Sequence, residues 1–170
     1  MSLDSLEQLF LEELKDIYNA EKQLTRALPR MAKAAESPKL EQAFTSHLKE
    51  TEGQIQRLER IFQGLGHAAR GKKCKGMEGL IEEGKEMMEE EGEPPVIDAA
   101  LIAAAQKVEH YEIAAYGCLR TYAGLLGYSE AVQLLSQNLR EEEAADKKLT
   151  QLGESGINEA AVAVGEREEG

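Results

Sequence analysis

Leu3, Leu6, Phe10, Leu14, Ile17, Leu24, Leu28 and Met31 recur at intervals of three, four or seven residues, the spacing of one face of an α-helix. This stripe predicts a long first helix, with Ser2 or Asp4 as its cap and an end near Ser37 and Pro38. Pro29 falls inside it and marks a kink or break near Ala27. A second stripe, Leu40, Phe44, Leu48, Ile55, Leu58, Phe62 and Leu65, predicts a helix from Lys39 to Leu65, followed by the glycine-rich GLGHAARGKKCKG. Met77, Leu80, Ile81, Met87 and Met88 outline a short helix in an acidic stretch that ends at Pro94 and Pro95, with the methionines filling core over the bundle end. A third long helix follows from Val96 to Leu126, with Leu101, Val108, Ala115, Leu119, Tyr122 and Leu126 on one face and Gly127 closing it. Ser129 then caps a fourth through Val132, Leu135, Leu139, Leu149 and Leu152.

The order is short turn, long connection, short turn. One long crossover between two helical hairpins is the connection pattern of ferritin-like bundles. The expected fold is all-α: an antiparallel four-helix bundle over residues 1–153, with a crossover carrying a short fifth helix. Residues 154–170 have no long apolar stripe and end in charges, so they are expected to form a loosely ordered acidic tail.

Composition agrees with helices: the chain of 170 residues has no tryptophan, four prolines and much Ala, Leu, Glu and Lys. Its net charge of -12 disfavours a nucleic-acid partner, which would be held through its phosphates. No apolar run approaches the roughly 20 residues of a membrane span. The acidic start MSLDSLEQLF lacks a signal-peptide layout, so a cytoplasmic location is expected. Cys74 and Cys118 are far apart and form neither a disulfide framework nor a thiolate metal site. Cys74, within RGKKCKG, reads as a loop thiol whose lysine neighbours could lower its pKa.

The polar residues that share a phase with the apolar stripes carry the chemistry. A helix turns about 100° per residue, so each polar side chain can be placed against its own stripe. Glu21 is in series with Leu14 and Leu28, and His47 lies near the centre of the second stripe with Thr51 close by and Glu50 on the flank. Within EHYE, Glu112 is in line with Ala105, Val108 and Leu119, Glu109 sits roughly 60° round from it, and His110 faces outward. On the fourth helix Glu142 and Asp146 share a seam with Leu135, Leu139 and Leu149. Every long helix therefore sends an ionisable group inward near its middle. Carboxylates so placed repel one another unless protonated or bound to a cation, and carboxylates with one imidazole suit iron or manganese.

The segments LKDIYNAEKQLTRALPRMAKAA, HLKETEGQIQRLERIF, AALIAAAQKVEHYEIAAYG and EEEAADKKLTQL resemble the YciF-type bacterial stress proteins of the ferritin-like superfamily, over roughly Leu3 to Leu152. That resemblance implies a cytoplasmic homodimer, a link to stress response and a metal site. Rubrerythrins, in the same superfamily, carry a Glu on helices one and three and Glu-x-x-His on helices two and four. Glu21 matches the first position and Glu109-x-x-Glu112 the third helix. His47 instead has Phe44 three residues before it and Glu50 after it, and Asp146 replaces the histidine of the fourth helix.

Two functions fit. In one, Glu21, His47, Glu109, Glu112, Glu142 and Asp146 hold one or two iron or manganese ions, with weak oxidase, peroxidase or catalase-like chemistry on oxygen or peroxide. In the other, the chain is a non-catalytic dimeric stress or interaction protein whose buried polar cluster fixes helix register.

Overall fold

The computed structural model describes residues 2–168, whose regular structure is helical and begins at Leu6. Four long helices, α1 (Leu6–Ala34), α2 (Pro38–Gly64), α4 (Pro94–Leu125) and α5 (Ser129–Leu152), pack in a ring in which α1 neighbours α2, α2 neighbours α5, α5 neighbours α4 and α4 neighbours α1. The crossover from α2 to α4 carries α3 (Lys75–Glu89), which lies against α4 and α1. The four-helix bundle with one long, helix-bearing crossover is therefore the architecture that the spacing predicts.

Local chemistry sets the helix ends. Ser5, rather than Ser2 or Asp4, caps α1: its hydroxyl accepts from the Gln8 amide, while the Gln8 side chain accepts from the Asp4 amide. Leu3 lies before the helix and is exposed. Pro29 does not break α1, because it sits on the outer face, where a carbonyl without its helical donor can turn to water. Ser37 caps α2 by accepting from Leu40. Tyr128, not Ser129, holds the cap position of α5 and makes no side-chain cap bond. The ends of α2 and α4 each require a left-handed residue, and Gly66 (φ 72°) and Gly127 (φ 76°) supply it.

The connections are tied down by side chains. Asp98 of α4 is buried beneath the α1–α2 turn, where its two oxygens accept from the Glu36 and Ser37 amides at 2.9 Å each. The crossover follows α1: the Lys72 amide donates to the Lys15 carbonyl, the Cys74 amide to Asn19 Oδ1, and Gln23 to the Cys74 carbonyl. Cys74 is no reactive loop thiol. It is buried at the N-cap of α3, its sulfur lies within 3.2 Å of Asp16 and Tyr111, and burial raises its pKa. Met77 is fully buried beside it and Met88 partly so, whereas Met87 points outward.

After Leu152 the chain forms a π turn (Gly153–Ile157), bends at Ser155 and Gly156, and continues as α6 (Asn158–Glu168) against α4. Most of the stretch read as a loose tail is thus helical; residues 169–170 lie outside the described residues. Among the described residues no helix is long and apolar enough to cross a membrane.

Candidate metal centre

Three helices meet over one group of ionisable side chains. His47 comes from α2, Glu109 and Glu112 from successive turns of α4, and Glu142 from α5. Each holds a register position between buried apolar residues of its own helix, so packing the stripes drives the polar groups inward together. One ligand atom from each of the four lies within 4.8 Å of the others, and all four residues are buried.

The contacts are close but incompletely satisfied. His47 Nδ1 is 2.9 Å from Glu50 Oε2, while Nε2 lies 3.0 Å from Glu109 Oε1 and 3.5 Å from Glu142 Oε2 without hydrogen-bond alignment to either. Both oxygens of Glu112, both of Glu142 and Oε2 of Glu109 have no hydrogen-bond partner. Beside them, Glu21 of α1 accepts from the Tyr116 hydroxyl through Oε1, and its Oε2 is unpartnered. Buried polar atoms are paired as a rule. So many unpaired acceptors and one imidazole nitrogen converging on one point form a donor set that fits a hard, carboxylate-preferring divalent cation.

Electrostatics reinforce this. Burial raises the carboxyls of Glu112 and Glu142 well above the usual range, and their anionic neighbours raise them further. Burial also lifts Glu21, to about 7, against the opposing bond from Tyr116. Burial alone would lower His47, but Glu109, Glu50 and Glu142 outweigh it and hold the imidazole well above its ordinary value. The reverse balance holds for Glu109: burial pushes it up, and the charge and bond of His47 together with Glu142 and the His110 charge outweigh that, leaving it lowered. A divalent cation bound here would compete with the protons that these raised pKa values favour on Glu112, Glu142 and His47.

Of the six residues expected to converge, the structure brings together His47, Glu109, Glu112 and Glu142, and puts Glu21 next to them. Asp146 is the correction. Its Oδ2 lies 3.3 Å from His110 Nε2 and its Oδ1 accepts from Gln106, so it faces the outer flank of α4. One turn beyond Glu142, it is both further along α5 and rotated by about 40°, enough to leave the core. His110 faces outward, as its angle predicts, and Glu50 sits on the flank. Sequence reasoning passed over Tyr116 and Gln54, both fully buried, Gln54 with neither amide atom paired. Their signal was spacing: Tyr116 follows Glu109 and Glu112, and Gln54 follows His47 and Thr51, at helical intervals.

A groove of about 520 Å³ opens over the cluster between α2 and α5. His47, Glu50 and Glu109 line its inner end, Phe44 and Leu149 its walls, and Lys39 and Lys148 its exposed part.

Comparison with known proteins places this geometry in context. The family model described as a domain of unknown function, DUF892, matches residues 5–162. Protein YciF of Escherichia coli (strain K12) is 50% identical over 162 residues, covering 95% of this chain and 98% of YciF. The crystal structure of that E. coli stress protein superposes with a TM-score of 0.88, covering 92% of this chain and 99% of the other. YcfI from Rhodopseudomonas palustris is 47% identical with a TM-score of 0.85, covering 88% of this chain and 97% of YcfI.

Proposed function

We propose, for a chain that belongs to the DUF892 family and is a YciF-like stress protein, that the acidic centre of its bundle binds an iron or manganese ion through His47, Glu109, Glu112 and Glu142. The observation that carries this reading is the convergence of unpaired, fully buried carboxylate oxygens on one imidazole nitrogen. A purely structural cluster would have spent those oxygens on hydrogen bonds. When bound, iron or manganese would supply one-electron chemistry toward oxygen or peroxide.

The chain's own residues have defined tasks. Glu50, at 2.9 Å from Nδ1, holds the His47 ring so that Nε2 points at Glu109 and Glu142. Tyr116 fixes Glu21 through Oε1 and leaves Oε2 free beside the cluster. Phe44 and Leu149 give the groove over the cluster an apolar wall.

The direct test is metal analysis of protein purified without chelator, combined with thermal melting after adding Fe(II) or Mn(II) to chelator-treated protein. Near-stoichiometric metal and a rise in Tm are expected. Absence of both would leave the cluster as a register-fixing device and end the metal reading.

A further inference from the structure

The groove is built asymmetrically. Its inner end is acidic, with His47 and Glu109 buried, His47 Nε2 and Glu109 Oε2 unpaired and Glu50 half-exposed beside them, whereas Lys39 on α2 and Lys148 on α5 line it from the exposed side. Two lysines facing one cavity run against a net charge of -12. A passage for cations would carry carboxylates at its mouth, because a basic mouth repels the ion it must admit. Between the two charged ends the walls are largely apolar, from Phe44, Ala145 and Leu149, and the volume of about 520 Å³ lies within the roughly 300–1,000 Å³ of small-molecule sites.

We propose that this groove is a binding site for small amphipathic carboxylates, with the anionic head between Lys39 and Lys148 and the apolar chain along Phe44, Ala145 and Leu149. Charge fixes the orientation: the acidic floor rejects the head, the lysines attract it, and the apolar walls take the chain. Binding of such a ligand does not rest on the metal reading above.

The experiment therefore uses the full chain after chelator treatment, titrated with octanoate and with octan-1-ol as the uncharged analogue, followed by amide shifts in NMR. Octanoate is expected to shift amides around Phe44, Ala145 and Lys148 and to bind at least about tenfold more tightly than the alcohol. The Lys39→Glu/Lys148→Glu variant should weaken octanoate by about tenfold or more and leave the alcohol unchanged, whereas Lys49→Glu, on α2 outside the groove, should change neither. Equal affinity for acid and alcohol, indifference to charge reversal, or shifts centred elsewhere would each overturn the proposal. Metal uptake is read separately on the same proteins, so a failure there strikes the metal reading and leaves the octanoate result standing.

Discussion

The Tyr116 hydroxyl donates to Glu21 Oε1 at a point where neither residue is exposed to solvent, joining the middle of α4 to the middle of α1. Tyr116→Phe removes the donor and leaves a fully buried carboxyl oxygen unpaired, a loss of about 1–3 kcal/mol. Urea unfolding of the metal-free protein measures it. If Tyr116→Phe costs less than half a kcal/mol, roughly, the bond contributes little to stability.

Metal-free protein should lose stability as pH rises. Glu21, lifted from 4.5 to about 7, and Glu112 and Glu142, lifted well above 4.5, stay protonated in the fold while the unfolded chain has already ionised. The folded state then binds more protons, so the free energy of unfolding falls with pH above about 4.5. His47 acts in the same direction, since its raised pKa gives stability that is lost as pH climbs through it. Within the centre Glu109 opposes, its lowered pKa giving stability that disappears on acidification. Melting curves from about pH 5 to pH 8 should therefore slope downward, and Glu112→Gln with Glu142→Gln should flatten the slope. A slope unchanged in that variant would place its origin in the acidic surface instead.

Asp146 and Glu142 lie one turn apart on α5 and should behave oppositely. Glu142→Gln is expected to reduce bound metal at least tenfold, roughly, and Asp146→Asn to leave it within about twofold of the parent. Elemental analysis of the two purified variants decides. Equal losses would put Asp146 back among the ligands.

Asp98→Ala should loosen the α1–α2 turn without touching the acidic centre. Two amides, those of Glu36 and Ser37, lose their acceptor, and the cost is about 2–4 kcal/mol. Hydrogen exchange should speed up at those two amides first, and unchanged protection there would show that the clamp is dispensable.

Gly76→Ala tests how tightly α3 is seated on α4. A Cβ at this position would come within 2.6 Å of Tyr111 Cε2, so the ring or the helix must shift, at a cost of about 1–3 kcal/mol. In a Tyr111→Ala background the added cost of Gly76→Ala should be smaller, and chemical denaturation of both single variants and the double variant reads that coupling.

The four long helices, their order and the helix-bearing crossover were legible because apolar stripes at helical spacing leave little choice when strand-formers and turns are scarce, whereas α6, with no such stripe, was not. The phase of α4 was harder. Alanine surrounds that helix, so Ala115 and Tyr122 resemble core positions, although the more deeply buried residues are Tyr116 and Ala123. Glu112 and Glu109 survived this offset because they bracket the inward direction, and Tyr116 was lost to it. Asp146 went astray for a different reason: helical angle alone carries no depth along the axis, and a residue one turn beyond the cluster leaves the seam. Cys74 was misjudged because lysines adjacent in sequence say nothing of a thiol whose neighbours in space are Asp16, Tyr111 and Met77.

The two helical hairpins contribute unequally to the centre. The first, α1 with α2, brings only His47 to the four, and the second, α4 with α5, brings three carboxylates. During synthesis the N-terminal hairpin leaves the ribosome with only His47 of those four residues, flanked by Glu50. On the metal reading proposed above, the nascent chain would not hold its ion before the last long helix has emerged and docked, and capture would report completed assembly.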